Sequence, residues 1–318
     1  MSKAKRIMKD LWSQYSIVFV ILAMFVVLAV LTGGRFSRFS NIMTIFRNAS
    51  TIGIIALGMT FVVISGGIDL SSGPVMATAG LVLVYMQGSG KFPLPLCMLA
   101  AVLVAGVFGL VNGVIITKAK VPPFIVTLAV GIIARSITMY IGGGATISGD
   151  KTDDLFKSIG NGSILKIPTP FIIFIVLAVI LTLLLTKTKY GTFVRAVGCN
   201  ENAAAYSGIR VDRIKIWTYV LSSVCVGVAG IIEISRMVAV SSTVTGSGYE
   251  FDAITAVLVG GTSLAGGRGT VYGTVIGSIL LYFVNNMMIQ MDISTYLTGA
   301  VKGGVIMLAV LFQARSRK

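Results

Sequence analysis

The chain is 318 residues long, 55% apolar and 12% charged, with a mean hydropathy of +0.93 and a formal net charge of +15. A soluble domain carries about 25% charged residues, so the composition excludes an ordinary soluble fold and points to one all-α, polytopic membrane domain covering residues 1–318. Histidine is absent, which removes histidine acid–base catalysis, histidine metal ligation and Ser-His-Asp triads, and the basic residues lie in short segments between apolar runs, where they orient spans in a lipid bilayer rather than bind nucleic acid.

The N-terminal stretch MSKAKRIMKDLWSQY is basic and leads into IVFVILAMFVVLAVL at 17–31, which has no polar side chain. No small-residue cleavage site follows, so about 15–31 reads as an uncleaved first span. A second span over about 49–65 runs into VISGGIDLSSGPVM at 63–76. Gly66, Gly67 and Asp69 interrupt the apolar run there. Irregular backbone at membrane depth is tolerated only against protein or a water-filled cavity, so the break predicts a feature of the bundle interior. The third, fourth and fifth spans cover about 73–87, 95–117 and 124–141, with Asn112 in the fourth and Arg135 in the fifth. Between the third and fourth, GSGK at 88–91 imitates a phosphate-binding loop, but Tyr85 and Phe92 occupy positions that require glycine and a hydroxyl residue.

Residues 142–168 form a longer connection containing Asp150, Asp153 and Asp154. After a sixth span over about 169–186 comes the basic connection 187–214. Its middle, GCNENAAAYSGI, predicts a short helix capped by Asn200, favoured by three alanines and ended by Gly208. Held between basic flanks beside the membrane, such a helix suits docking into a groove on a partner. The seventh span covers about 215–235, the eighth 252–263, the ninth 271–289 and the tenth 293–312. GGTSLAGG at 260–267, with Gly260 and Gly261, echoes GGIDLSSG at 66–73 as a second glycine-rich joint, a pattern that internal repeats of transporters produce. Gly109/Gly113, Gly269/Gly273/Gly277 and Gly299/Gly303 are spaced for close helix packing.

Ten spans place both termini on one side, and that side carries most of the Lys and Arg, so both termini are expected in the cytoplasm. This puts 187–214 inside and 142–168 outside. Arg35, Arg38 and Arg47 fall in an expected outer loop against the trend. Arg135, Glu233, Asp252 and Lys302 are the intramembrane charges; such residues normally face the bundle interior and pair. Glu233 and Asp252 are the acids available to Arg135 and Lys302. Cys97, Cys199 and Cys225 have no metal-ligand spacing, so no catalytic or metal-binding residue is assigned.

Together, ISGGIDLSSG (64–73), TKTKYGTFVRAVGCNENAAAYSGI (186–209) and GYEFDAITAVLVGGTSLAGGRGTVYG (248–273) resemble the permease subunits of bacterial ABC importers of the ribose, galactose, xylose and arabinose type, the ribose type most of all. The likeness runs from about residue 40 to the end. It implies a non-enzymatic subunit of the bacterial inner membrane, paired with a second permease copy or a similar chain. ATPase subunits would bind its cytoplasmic face, and a periplasmic binding protein would deliver a monosaccharide or polyol. No cofactor would be bound by this chain; ATP and Mg would sit on the partners. The coupling region would be 187–214, with Gly198, Asn200, Glu201, Asn202, Ala203, Ala204 and Gly208 at the ATPase contact. The wider importer signature, EAA and then a glycine after three residues, is kept in spacing by Asn202-Ala203-Ala204 and Gly208, with Asn in the Glu position and Glu201 one residue early. A polar, low-affinity passage is expected near Gly66, Gly67, Asp69, Asn112, Gly260 and Gly261. An ion-coupled secondary transporter, and an ABC permease for an autoinducer sugar or a branched amino acid, are the alternatives.

Overall fold

The computed structural model describes residues 25–30, 32–149, 153–294, 297–301, 303, 304 and 307. Its main helices are α1 (Phe39–Ile64), α2 (Ser72–Gly88), α3 (Leu94–Lys118), α4 (Pro123–Gly142), α5 (Asp154–Asn161), α6 (Thr169–Lys187), α7 (Lys189–Cys199), α8 (Glu201–Tyr206), α9 (Val211–Met237), α10 (Tyr249–Val259) and α11 (Val271–Gln290). Four short strands accompany them: β1 (Thr146–Ser148), β2 (Ser163–Ile164), β3 (Ile167–Pro168) and β4 (Ala239–Ser241). The chain is thus a mostly helical, polytopic protein. By length and composition, α1, α3, α4, α6, α9 and α11 can each cross a membrane.

Helix starts follow local chemistry. The outer helices α3, α4 and α6 each carry proline in the first turn, at Pro95, Pro123 and Pro170, where the missing N–H costs nothing. Helices answer the second to ninth expected spans. Residues 25–30 and 298–301 are helical too; much of the first and tenth expected spans, including Lys302, lies outside the described residues, as does Asp150.

Two boundaries differ from expectation. α1 starts ten residues before the expected span, so Arg47 belongs to the helix and not to a loop. Nothing in that stretch breaks a helix; the polar residues only lower its hydropathy, and Asn48 accepts a hydrogen bond from Arg236 Nη1 at 2.9 Å. α10 has 11 residues, about 16 Å at 1.5 Å per residue. That is half of a ~30 Å hydrocarbon layer, so the eighth span is a half-helix. It starts at Tyr249, and Glu250 and Asp252 occupy its first turn, where acids are favoured.

α1 lies at the centre, buried on every side from Ala49 to Ile64. α9 crosses it and α3 at glycines. A Cβ at Gly58 would come 2.7 Å from Ser222 Cα, one at Gly109 2.5 Å from Tyr219 O, and one at Gly113 2.7 Å from Ile216 Cα. The Gly269/Gly273/Gly277 row packs against the end of α10 and the joint after it, with Gly277 beside Ala256 O. Gly299 and Gly303 meet nothing within 4 Å, so among the described residues the third expected seam has no partner. The outer helices expose Leu103, Val107, Ile132, Val176 and Val179, the inverse of a water-soluble surface.

The connection 142–168 is more ordered than a loop. β1 pairs antiparallel with β4, Thr146 opposite Ser241 and Ser148 opposite Ala239, and β2 and β3 make a second small pair. Asp153 caps α5 by accepting from Phe156 N at 2.9 Å, and the Phe156 side chain is fully buried.

Candidate functional site

The glycine-rich break after α1 is a sealed polar knot. Gly66 adopts φ +83°, which only glycine enters at no cost, and Gly67 N donates back to Val62 O at 2.9 Å. Beyond it the backbone runs without a helical ladder, so its polar groups need other partners. Helices from elsewhere in the chain supply them. Ile68 O accepts from Tyr219 OH at 3.3 Å and from Thr127 Oγ1 at 3.4 Å. Asp69 Oδ1 accepts from Ser71 N at 3.0 Å and Ser71 Oγ at 2.6 Å, and Oδ2 accepts from Ser222 Oγ at 3.2 Å. Asn112 Nδ2 donates to Ser71 Oγ at 2.9 Å. Asp69, Ser71 and Asn112 have no exposed surface, and Asn112 Oδ1 has no hydrogen-bond partner among the described residues. The carboxylate at Asp69 therefore organises the turn into α2 and ties it to α3 and α9. Gly66 is exposed and Gly67 is buried against the Tyr219 hydroxyl.

The basic connection forms the predicted short helix. Asn200 Oδ1 accepts from Ala203 N at 3.0 Å, α8 follows, and Gly208 ends it with φ +81°. Ala204 is buried beside Val197 and Val211, while Glu201, Asn202, Ala203 and Tyr206 face outward, Tyr206 with 93% of its surface exposed. An ion pair between Glu201 and Lys215 fastens α8 to the start of α9.

The end of α7 joins this surface helix to both glycine-rich joints. A Cβ at Gly198 would collide with the Ile64 carbonyl oxygen and lie 2.6 Å from Gly267 N. Ile64 O is the acceptor of a 2.8 Å bond from Gly267 N. The last turn of α1, the α7–α8 corner and the 260–267 joint thus meet at one carbonyl. Gly260 lies against Gly273, and Gly261 is exposed with φ +86°. Thr60 and Thr274 share a hydroxyl–hydroxyl bond of 2.7 Å that fixes α1 to α11. The second glycine-rich stretch thus meets the last residue of α1, just ahead of the first stretch.

Of the expected intramembrane charges, Arg135 and Glu233 do not pair with each other. Arg135 donates to two backbone carbonyls, Ser242 O at 3.2 Å and Thr245 O at 2.7 Å. Glu233 accepts from Tyr249 OH and Thr51 Oγ1, each at 3.2 Å, with Arg236 Nη1 4.0 Å away. The residues that serve Arg135 are unwound backbone and Glu250, which shares a cavity with it; a backbone partner leaves no mark in a sequence. Asp252 lies in the first turn of α10.

Two cavities flank the segment between β4 and α10. One, of about 460 Å³, is bordered by Glu233, Met237, Ser241, Ser247 and Tyr249. The other, of about 290 Å³, is bordered by Leu70, Pro74, Ile132, Arg135, Ser247 and Glu250. Ser247 borders both. Sequence reading missed Glu250, Tyr249, Tyr219 and Ser222. The run YEFD carried a signal for the first two, since acids cluster in a helix's first turn; the hydroxyls of α9 carried none.

Residues 41–310 match the family model for the permease component of the branched-chain amino acid transport system. The ribose import permease protein RbsC of Haemophilus influenzae is 39% identical over 295 residues, 92% of this chain and 91% of that protein. RbsC of Bacillus subtilis is 40% identical over 275 residues, 86% and 85% of the two chains. The D-allose transport system permease protein AlsC of Escherichia coli is 33% identical over 299 residues, 94% and 91%. No solved structure matches.

Proposed function

The chain belongs to the branched-chain amino acid transport system permease family, and from that membership we propose that it is the membrane-spanning subunit of an ATP-driven importer of a ribose-like monosaccharide. The observation that carries this reading is the near end-to-end likeness to permeases named for ribose and allose. It is a multi-pass protein of the bacterial inner membrane. We further infer ten spans, cytoplasmic termini, a second permease copy, a periplasmic sugar-binding protein as donor, and separate ATPase subunits that carry ATP and Mg.

Here α8 is the docking element. Its exposed face, Glu201, Asn202, Ala203 and Tyr206, enters a groove on the ATPase, while Asn200, Ala204 and Gly208 fix its ends and its buried side. ATP-driven closure of the partners favours one position of the α7–α8 corner. Because Gly198 rests on Ile64 O, that preference reaches the Gly66–Gly67–Asp69 break and the Gly260–Gly261 joint together. A ligand shifts a two-state equilibrium only by its differential affinity for the two states; nucleotide supplies that difference and the sugar does not. Asn112 and Asp69 keep the break folded while Gly66 and Gly261 absorb the change in backbone angle.

The test is reconstitution in vesicles with the ATPase subunit and binding protein. ATP-dependent ribose accumulation is expected, and none under an ion gradient when the ATPase is left out. Accumulation by the chain alone under a sodium or proton gradient would overturn the reading in favour of a secondary transporter. ATP-dependent uptake of leucine but not ribose would replace the sugar with a branched amino acid.

A further inference from the structure

The smaller cavity holds two charges at a depth where charge is costly. α4 has 20 residues, about 30 Å, and Arg135 lies roughly 18 Å from its start. It is therefore inside the hydrocarbon layer. Ionisable residues there almost always face protein or water. Yet the cavity opens on the outer side of α4, between Leu128, Ile132 and Ser136, all of them exposed. Acyl chains covering that mouth would leave Arg135 and Glu250 without solvation. The mouth therefore faces protein or water and not acyl chains, and an aqueous path there solvates both charges.

The lining also carries unused bonding capacity. Arg135 spends Nη1 and Nη2 on the carbonyls of Ser242 and Thr245, and its remaining N–H groups are free to donate. Glu250 borders the cavity with its carboxylate; its Oε2 is turned away against Gly73 and shielded from solvent, which leaves Oε1 to face a ligand. Ser136 and Ser247 add hydroxyls, and Leu70, Pro74 and Ile132 add an apolar wall. A carboxylate acceptor, a guanidinium donor, two hydroxyls and a flat apolar side match a small neutral polyhydroxylated molecule. The volume, about 290 Å³, falls just under the roughly 300–1,000 Å³ of ligand sites.

We infer that this cavity between α2, α4 and α10 is a contact point for the transported monosaccharide within the membrane, with Glu250 accepting from sugar hydroxyls and Arg135 donating to them. The inference rests on the importer reading and adds a location to it. That location adjoins the Asp69 knot, since Leu70 and Pro74 line it. The wall between this cavity and the larger one is Thr245–Glu250, which Arg135 holds by Thr245 O. Contact there is weak, as a passage demands, because Arg135 already spends two donors on Ser242 O and Thr245 O.

The experiment uses the full complex in intact cells with Ser136→Cys, and separately Ser247→Cys, probed from outside by a membrane-impermeant methanethiosulfonate. Only the thiolate reacts, and it forms in water and not in lipid, so labelling at least roughly tenfold faster than at Val107→Cys on the exposed side of α3 is expected. Tens-of-millimolar ribose slows labelling, and Glu250→Gln removes that protection. ATP-dependent uptake is measured on each unlabelled variant first. Both cysteines as inert as Val107→Cys in complexes that transport normally would overturn the inference and leave the importer reading standing. Labelling without sugar protection would equally remove the sugar from this cavity. Absence of ATP-dependent uptake in the unsubstituted complex would instead remove the importer reading.

Discussion

Replacing Gly198 by alanine tests the link between the inner surface and the membrane joints. The new methyl has no space: it meets the Ile64 carbonyl oxygen and lies 2.6 Å from Gly267 N. Both neighbours are backbone, so no rotamer change relieves the contact. Forcing a methyl into a packed contact costs roughly 1–3 kcal/mol. Breaking the Gly267 N–H bond to Ile64 O adds about 0.5–1.5 kcal/mol. Together, roughly 1.5–4.5 kcal/mol falls on the docked position of the α7–α8 corner. That is below the ~5–15 kcal/mol of a whole fold, so the protein still inserts and purifies. Each 1.4 kcal/mol is about tenfold in population, so the corner leaves Ile64 in most molecules. In reconstituted vesicles, Gly198→Ala is expected to lose at least about tenfold in ATP-driven uptake while the ATPase subunit still co-purifies. Gly88→Ala, at a position with nothing within 4 Å, is the control and transports normally. Uptake by Gly198→Ala equal to that of the control would refute transmission through this carbonyl.

Three further outcomes are expected. Asp69→Leu removes the acceptor of Ser71 N and of the Ser71 and Ser222 hydroxyl protons in a buried site, at about 1–3 kcal/mol for each donor left unsatisfied, so thermal unfolding in detergent should shift down by several degrees or the protein should fail to accumulate; an unchanged midpoint would contradict the knot. Gly113→Leu drives a side chain into the Ile216 backbone and should abolish the monodisperse peak in size-exclusion chromatography, whereas the exposed Lys118–Asp212 pair at 2.6 Å is worth less than about 1 kcal/mol, so Lys118→Gln should elute unchanged. Tyr206→Asp places a charge where an aromatic anchor would enter the ATPase; hot-spot losses of about 2 kcal/mol or more predict weakened co-purification of the ATPase with the permease fold intact, and retained association would remove Tyr206 from the interface.

Hydropathy located most of the helices because each is a long apolar run bounded by glycine, proline or charge. It misjudged α10 because Gly260 and Gly261 are apolar by composition yet end the helix, and it misjudged α1 because Arg47 and Asn48 are polar yet helical. The α8 helix was legible down to its cap, since Asn200 and Gly208 act within a few residues of themselves. The Asp69 knot was legible only as a break. Ser71 is two residues away, but the partner that ties the knot to another helix, Ser222, is 153 residues away, and nothing local to either residue announces the other. The Arg135 cavity was hidden for the same reason, because the guanidinium is bonded to main-chain carbonyls, which every residue has.

The grip of Arg135 on Ser242 O spans 107 residues of sequence, and this separation has a consequence for biogenesis. A ribosome adding about 5–20 residues per second needs roughly 5–20 s to synthesise the carbonyls after α4 has left it. During that interval the guanidinium has no native partner, and its cost on insertion is about 2.5–3.5 kcal/mol. Until the second half of the chain arrives, water, the translocon or a neighbouring span has to satisfy the guanidinium in place of those carbonyls.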